Sequence, residues 1–288
     1  MKPIRREIPQ LPQLQQLIEA VSGQPPEVAL QLFLNSLPLT DFITQKANTE
    51  SLIEKYPLAH QFPHVQYARD GRTVARSSAE IEDKVYGMPS HLWRAMVREC
   101  GPRIALYVTR FLAPAWITLS AEHPLNLADF TFLAKESPLV PSGRESLVAR
   151  GLHYGYGGDF TTAAQLLVPQ LEHIVRVKLA DAGVGTSTSE DGIETEKGLS
   201  ALMKTEDADR VFGPNISFEI RSLFCSTHGP NLRNEFAHGL VDDTHINSAS
   251  AFYAWWLIWR LVCSSFFNTE RDAAASDREA PTAPQGVD

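Results

Sequence analysis

The chain lacks the excess of positive charge that proteins binding nucleic acid usually carry. Its 288 residues contain 26 lysines and arginines against 34 aspartates and glutamates, for a formal net charge of -8. Because contact with phosphates usually needs a basic surface, this balance disfavours extended nucleic-acid binding, and any RNA site must be a local positive patch. The hydrophobic fraction of 43% is ordinary for a globular chain with a real core.

Cysteine is scarce, and the usual motifs of metal sites are missing. The three cysteines, Cys100, Cys225 and Cys263, are far apart in the sequence, and each lies among apolar residues. We expect buried free thiols in a reducing compartment. The sequence has no Cys-x-x-Cys pair and no His-Glu-x-x-His motif, so we expect no metal and no other cofactor.

Long apolar runs are missing as well. No window has the roughly 18 uninterrupted apolar residues of a membrane span, and the richest stretch, residues 251–267, contains Arg260. The first residues have no apolar core behind them, which argues against a signal peptide. We therefore expect a cytoplasmic protein without a membrane partner.

The N-terminal region, residues 1–137, has helical patterning with one predicted β-hairpin. Residues 64–76 contain two strand-like runs around Asp70-Gly71, a dipeptide that favours a two-residue hairpin turn. A strongly apolar helical run follows at residues 91–121, and Gly101-Pro102 is expected to break it in two. We expect this region to regulate, recognise or cap the rest of the chain.

A stretch rich in proline and glycine, around residue 138, predicts a domain boundary. Residues 138–270 beyond it have longer helical segments, one of them N-capped by Asp159 and running to about Ala182. Residues 183–198 are rich in Ser, Thr, Glu and Gly, which predicts an exposed mobile loop. Residues 271–288 are rich in Ala, Pro and Asp, and we expect a disordered tail.

The last predicted helix, about His245 to Thr269, has a strongly aromatic face. Its members are Phe252, Trp255, Trp256, Trp259 and Phe266. Such a stripe is more often core than a ligand-binding box. It also offers more apolar surface than one small helical domain easily covers, which predicts a homodimer built on this region.

The segment Gly229–Leu240 carries the most informative side chains. On a helix beginning near Asn231, Asn234 and His238 lie one turn apart on the same face. Arg233 falls in the first turn, beside free backbone N–H groups and the positive end of the helix dipole, and its planar fork suits a phosphate. His238 can give or take a proton near neutral pH. Together these groups form a minimal set for cleaving a phosphodiester without a metal.

These residues also carry a family resemblance. Arg233-Asn234-x-x-x-His238 resembles the Arg-x(4–6)-His motif of the HEPN superfamily, in which a polar residue commonly follows the arginine. The string from Asn231 to Gly239 resembles the signature of a HEPN-like family known only as a domain of unknown function. The resemblance covers about residues 140–268 and implies an antiparallel four-helix domain, usually paired as a dimer. The predicted fold class is therefore mainly α, with a C-terminal HEPN-like four-helix domain and an N-terminal helical region with one β-hairpin.

The resemblance implies a metal-independent endoribonuclease with RNA as its substrate, acting in phage defence, as a toxin or in stress response. In the implied mechanism the RNA 2′-hydroxyl attacks the adjacent phosphate and leaves a 2′,3′-cyclic phosphate. His238 would be the general acid or base, Arg233 would stabilise the growing charge, and Asn234 would orient His238 or the phosphate. Glu172, from the neighbouring helix, would hold Arg233 or His238. An antitoxin or a defence protein would be a further partner.

Structural roles for the same residues stay open. Asn231 could cap the helix, Arg233 could pair with a carboxylate such as Glu172, and the imidazole of His238 could bond a backbone carbonyl. The domain would then be a non-catalytic HEPN-like module that dimerises or binds RNA or a nucleotide. Glu172 and Arg176 are four residues apart, a spacing more typical of an ion pair on a helix surface than of a functional site.

Overall fold

Helices dominate the computed structural model, so the expected mainly α class is confirmed. The structure describes residues 12–57, 65–67, 73–76, 84–241 and 248–279. The N-terminal helices are α1 (Pro12–Val21), α2 (Pro26–Asn35), α3 (Phe42–Lys55), α4 (Ser90–Tyr107), α5 (Ala113–Glu122) and α6 (Leu127–Glu136).

Short antiparallel strand pairs interrupt this helical region. Strand β1 (Val65–Tyr67) pairs with β2 (Thr73–Arg76), as the hairpin prediction requires, and β3 (Lys84–Val85) pairs with β4 (Met88–Pro89). The predicted turn at Asp70-Gly71 lies outside the described residues. The second pair was not predicted, because two-residue strands leave no alternating pattern in the sequence.

Helices α4 and α5 form one continuous helical run, Ser90–Glu122, joined by a π-helical turn at Val108–Leu112. The expected break at Gly101-Pro102 is wrong, because α4 continues through Pro102. The prolyl ring costs one backbone hydrogen bond, but the neighbouring side chains Cys100 and Ile104 are buried in the core. Packing of an apolar face therefore outweighs the local cost of the proline.

The same run also bears on the expected absence of a membrane partner. Among the described helices, Ser90–Glu122 alone is long and apolar enough to cross a membrane by length and composition. In the fold, 33% of its most apolar window is buried. A core helix of a soluble protein passes the same test, so this single helix is weak support for a membrane span.

The C-terminal region contains four longer helices, two short helices, one pair of strands and a π-helical turn. They are α7 (Glu145–Tyr156), α8 (Phe160–Asp181), β5 (Ser187–Glu190), β6 (Ile193–Glu196), α9 (Leu199–Leu202), α10 (Asp207–Ile220), a π-helical turn (Arg221–Cys225), α11 (Leu232–Ala237) and α12 (Ala249–Glu279). The predicted cap of α8 is confirmed, since the Asp159 carboxylate accepts a hydrogen bond of 3.0 Å from the backbone N–H of Thr162. Helix α8 contacts α7, α10 and α12.

Two expectations for this half are corrected. The loop expected at residues 183–198 contains the hairpin of β5 and β6, whose turn residues Asp191 and Gly192 have φ values of 51° and 78°. Positive φ at both positions is what a tight two-residue hairpin turn requires. The tail expected from residue 271 begins as a continuation of α12, which is described as far as Glu279, because the segment is rich in alanine and other helix formers. Residues 280–288 lie outside the described part of the chain.

The expected division between residues 1–137 and 138–270 does not separate two cores. Trp256 of α12 donates from its indole nitrogen to the carbonyl of Phe33 in α2, at 3.2 Å. Ser137, at the expected boundary, donates to the carbonyl of Val262 at 2.7 Å. One cluster of buried side chains spans both regions. The proline-rich stretch around residue 138 is therefore a connection across a shared core.

The aromatic face of α12 is used inside the chain. Trp255, Trp256 and Trp259 are fully buried, and Phe252 is 4% exposed. These side chains form the centre of the core, where Phe33 and Phe130 pack against them. They leave no surface for a second copy, so the argument for a homodimer from this face fails. The side chain of Phe266 lies outside the described part of the structure.

Candidate functional site

The motif segment is anchored to the core at its start. The chain leaves the π-helical turn Arg221–Cys225, turns at residues 226–231 and enters α11, whose first residue, Leu232, is 6% exposed. Asn231 stands at the N-cap position, but its side chain makes no capping bond, and its backbone is left-handed with φ 51° and ψ 39°. The alternative in which Asn231 caps the helix is therefore wrong. Asparagine tolerates this conformation better than most residues.

The sequence pattern predicts a helix from about Asn231 through Leu240, but α11 is shorter. Its last residue is Ala237, and His238 takes the C-cap position. The backbone N–H of His238 still donates to the carbonyl of Asn234 at 3.1 Å, so these two residues lie one turn apart, as the sequence predicts. The side chain of Asn234 is half-buried, and that of His238 is exposed.

Glu172 of α8 gathers donors from three elements. Its Oε2 accepts hydrogen bonds of 3.0 Å from Arg233 Nε of α11 and of 3.0 Å from the backbone N–H of Leu199 in α9. Its Oε1 accepts a bond of 3.0 Å from Arg176, one turn further along α8. The expected contact of Glu172 with Arg233 is thus observed, whereas His238 has no such contact among the described residues.

The protonation of Glu172 follows from these contacts. Burial alone would raise the pKa of this carboxyl, but the N–H of Leu199 and the two guanidinium groups outweigh it and lower the pKa below its usual range. Only 17% of the side chain is exposed. Glu172 is therefore a charged group at neutral pH, and it fixes α11 against α8 and the start of α9.

Arg233 borders an open cavity of about 290 Å³. The cavity is lined by Gln165, Val168, Pro169, Glu172, Arg233, Phe236 and Ala237. The Arg233 side chain is 33% exposed, and among the described residues its one hydrogen bond runs from Nε to Glu172. Among the described residues the terminal guanidinium nitrogens donate no hydrogen bond, although Nη2 lies close to Gly198, and they can donate to a ligand such as a phosphate.

His238 does not line this cavity. Five residues along an α-helix correspond to a rotation of about 140°, so Arg233 and His238 point to different sides of α11. The structure therefore brings Arg233 and Glu172 together, and it leaves Asn234 and His238 on a separate, more exposed face. Within the described residues, a single copy of the chain does not combine the arginine and the histidine in one cleft.

Other residues of the site were missed or were given lesser roles. Arg176 was treated as a surface ion pair, yet only 17% of its side chain is exposed, and its Nε lies 2.9 Å from Glu196 of β6. Arg176 also donates to the carbonyl of Lys197 at 2.9 Å. No sequence signal placed Glu196 here, because residues 183–198 have the composition of a solvated loop. The spacing of Glu172 and Arg176 was the one available pointer.

The cysteines are free, as expected. Cys100 and Cys263 are buried and Cys225 is half-buried, and burial raises their pKa values to about 11, 12 and 12, respectively. Cys225 lies near the site, since the charge of Arg233 lowers the pKa of its thiol and the charge of Glu172 raises it, although burial has the larger effect. A thiol with so high a pKa is a poor nucleophile at neutral pH. Among the described residues, no group of His, Cys, Asp and Glu side chains is arranged to hold a metal ion.

Comparisons with protein-family models, with curated proteins and with solved structures found no match for this chain. The likeness to HEPN proteins thus stays a resemblance carried by the motif residues.

Replacing Glu172 with glutamine is expected to lower the free energy of unfolding by about 2 kcal/mol at neutral pH, because hydrogen bonds to a charged group are lost. Since the folded-state pKa of Glu172 is lowered, its contribution is present above the ordinary value of 4.5 and is lost as pH falls through the folded-state pKa. Urea unfolding of both proteins at pH 7 and below 4.5 should show the gap shrinking in acid.

The matched control is Glu196→Gln, which removes an acid that also contacts Arg176 but is 66% exposed. Its effect on unfolding should stay under about 0.5 kcal/mol. A gap between wild type and Glu172→Gln that is constant with pH would contradict the charged role of Glu172.

Proposed function

We propose that the chain is a metal-independent endoribonuclease of the HEPN type. The proposal rests on one observation: Arg233, at the edge of an open cavity, donates a hydrogen bond from Nε to the Glu172 carboxylate. An arginine fixed in this way can present two donors to a phosphate without losing its position. The exposed imidazole of His238, with Asn234 one turn before it, supplies the proton-transfer group.

The chemistry needs only groups that RNA and these residues provide. The RNA 2′-oxygen forms a bond to the adjacent phosphorus, and the bond from phosphorus to the 5′-oxygen breaks. His238 takes the proton of the 2′-hydroxyl, and the departing 5′-oxygen takes a proton from water. Arg233 stabilises the negative charge that grows on the phosphate oxygens. The products are a 2′,3′-cyclic phosphate end and a 5′-hydroxyl end.

The proposed active site is completed by a second copy of the chain. Arg233 and His238 lie on different sides of α11, so we place Arg233 of one copy opposite His238 of its partner. The dimer is thus proposed from the geometry of α11 and the HEPN resemblance, since the aromatic residues of α12 are internal.

Purified protein incubated with mixed cellular RNA in EDTA is expected to produce fragments ending in 2′,3′-cyclic phosphate. His238→Ala should lower the rate about a hundredfold or more, because the proton-transfer group is lost. Arg233→Lys should also fail, because an ammonium cannot reproduce the guanidinium fork. Matched controls are His91→Ala and Arg150→Lys, which change exposed residues of α4 and α7 and should cleave like wild type.

The same assay tests the shared site. Mixing inactive Arg233→Ala and His238→Ala proteins should restore about a quarter of wild-type activity, because half of the dimers are mixed and each holds one intact site. No recovery on mixing, together with a monomer at micromolar concentration by light scattering, would contradict the shared site. Activity that disappears in EDTA, or survives in His238→Ala, would overturn the mechanism.

A non-catalytic module that binds RNA or a nucleotide is the second candidate. It is favoured by the position of His238 outside the cavity and by the pairing of Arg176 with two carboxylates, which leaves little net positive charge. A well-folded dimer that binds RNA and leaves it intact in every condition would favour this candidate.

A further inference from the structure

The hairpin of β5 and β6 is an acidic arm next to the site. Of its strand residues, all but Ser187 are exposed, and its acidic side chains are Glu190, Asp191, Glu194 and Glu196. Glu196 lies at the end of the hairpin that approaches α8, where its carboxylate forms an ion pair with Arg176 Nε at 2.9 Å but accepts no well-aligned hydrogen bond from it. The arm therefore brings one exposed acid to a largely buried arginine.

Arg176 and Arg233 share one carboxylate. Arg176 binds Oε1 of Glu172, and Arg233 binds Oε2 of the same group. The two guanidinium groups thus border the same small region, with one negative charge of Glu172 between two positive charges. Glu196 supplies the second negative charge. A phosphate of an RNA backbone has the same single charge and the same paired oxygen acceptors as the Glu196 carboxylate.

The two carboxylates on Arg176 are held very differently. Glu172 is 17% exposed and also binds Leu199 and Arg233, whereas the Glu196 side chain is 66% exposed. An exposed ion pair contributes little stability, because water and salt compete with it. Glu196 is therefore the carboxylate that a competing anion displaces, while Glu172 keeps both arginines in place.

We propose that Arg176 is a second phosphate-binding residue of this site and that Glu196 occupies it in the free protein. This inference rests on the proposed binding of RNA at Arg233. When RNA binds, a backbone phosphate replaces the Glu196 carboxylate on Arg176 while a neighbouring phosphate lies on Arg233. The acidic arm then acts as a built-in competitor, which limits binding to chains that offer two adjacent phosphates.

The test uses the full chain and a fluorescent 2′-O-methyl RNA oligonucleotide, which lacks the attacking hydroxyl and cannot be cleaved by the proposed mechanism. Binding is followed by fluorescence anisotropy over a range of salt concentrations. Glu196→Gln should bind about fivefold more tightly at low salt, since phosphate affinity is largely electrostatic. The logarithm of its affinity should fall with the logarithm of the salt concentration at nearly the wild-type slope. The two slopes should differ by at most about 0.7, the value for one phosphate contact.

Glu194→Gln is the matched control, because it makes the same charge change on the same exposed strand. It should tighten binding less than about twofold, since a remote surface charge is screened by salt. In the double variant Arg176→Gln/Glu196→Gln the gain should vanish. If removing Arg176 disturbs folding, Arg176→Lys/Glu196→Gln keeps the charge and should keep part of the gain.

Equal effects of Glu196→Gln and Glu194→Gln would overturn the inference, as would a gain that persists without Arg176, or no probe binding by any variant. Cleavage of ordinary RNA is scored separately. A protein that never cleaves but responds to Glu196→Gln contradicts the nuclease and supports the role of Arg176. A protein that cleaves RNA but binds the probe equally well with and without Glu196 supports the nuclease and contradicts the role of Arg176.

Discussion

Replacing Glu219 with leucine is expected to lower the free energy of unfolding by about 3–5 kcal/mol, because it leaves a buried partner charge without compensation. Glu219 lies on α10 with its side chain fully buried. Its Oε1 accepts hydrogen bonds from the backbone N–H and the hydroxyl of Thr40, at 2.9 and 2.5 Å. Arg103 of α4 lies 3.5 Å from the same oxygen.

The surroundings of Glu219 show why its charge matters. Burial alone would lower the pKa of Arg103, but the Glu219 carboxylate and smaller contributions from Cys100, Tyr253 and Tyr107 together outweigh burial and raise it. Burial, reinforced by Glu219, also raises the pKa of Tyr253 well above its usual range. Arg103 and Tyr253 therefore keep their protons at any physiological pH, and an uncharged residue at position 219 would leave Arg103, whose side chain is only 20% exposed, without its carboxylate partner.

Urea unfolding measures the effect, and a double variant isolates its cause. Arg103→Met/Glu219→Leu removes both charges, so it should lose less stability than the sum of the two single changes, by about 1–3 kcal/mol. A loss under about 1 kcal/mol in Glu219→Leu, or simple additivity of the pair, would contradict the compensation argument. Because α10 leads directly into the Arg221–Cys225 turn and then to α11, the same network also supports the segment that carries Arg233.

Local signals in the sequence predicted several elements well. Asp159 is followed by a long apolar helical pattern, and its side chain caps α8 as expected. The four-residue spacing of Asn234 and His238 survives in α11 because one backbone bond fixes it. Each of these features depends on neighbours within a few residues, which is the range over which sequence patterns are informative.

Long-range packing could not be predicted in this way. The stretch near residue 138 was predicted to be a linker from its prolines and glycine. The hydrogen bond between Trp256 and Phe33, which joins the two sides of this stretch, connects residues far apart in the sequence and leaves no local pattern. Glu219 sits among apolar residues, but nothing nearby in the sequence identifies Arg103 and Thr40 as its partners. The Asp191-Gly192 turn signal was present, yet the flanking strands are polar on both faces and lack the alternation that marks a half-buried strand.

Within the candidate site, too, some contacts could be predicted from the sequence and others could not. The contact between Glu172 and Arg233 was expected from the HEPN resemblance, which places the two helices side by side. The separation of Arg233 from His238 around α11 follows from helix geometry, but it was overlooked because both belong to one short motif. The approach of Glu196 to Arg176 depends on the folding of a hairpin that was taken for a loop.

Replacing Gly229 with alanine is expected to lower the free energy of unfolding by about 3 kcal/mol, because the new methyl group has no room. A Cβ at this position would lie 2.2 Å from the backbone carbonyl oxygen of Ser222 and 3.0 Å from a methyl group of Val97. A carbonyl in the π-helical turn cannot rotate away as a flexible side chain can. The turn must therefore move outward, and α11 moves with it.

The matched control is Gly101→Ala, since a Cβ there meets nothing within 4 Å in the middle of α4. Alanine is a better helix former than glycine, so this change should raise stability by about 0.5–1 kcal/mol. Thermal and urea unfolding of both variants give the comparison, and RNA-probe binding reports whether α11 has shifted Arg233 away from Glu172. Gly229→Ala within about 0.5 kcal/mol of wild type, with unchanged probe binding, would contradict the close approach that positions α11.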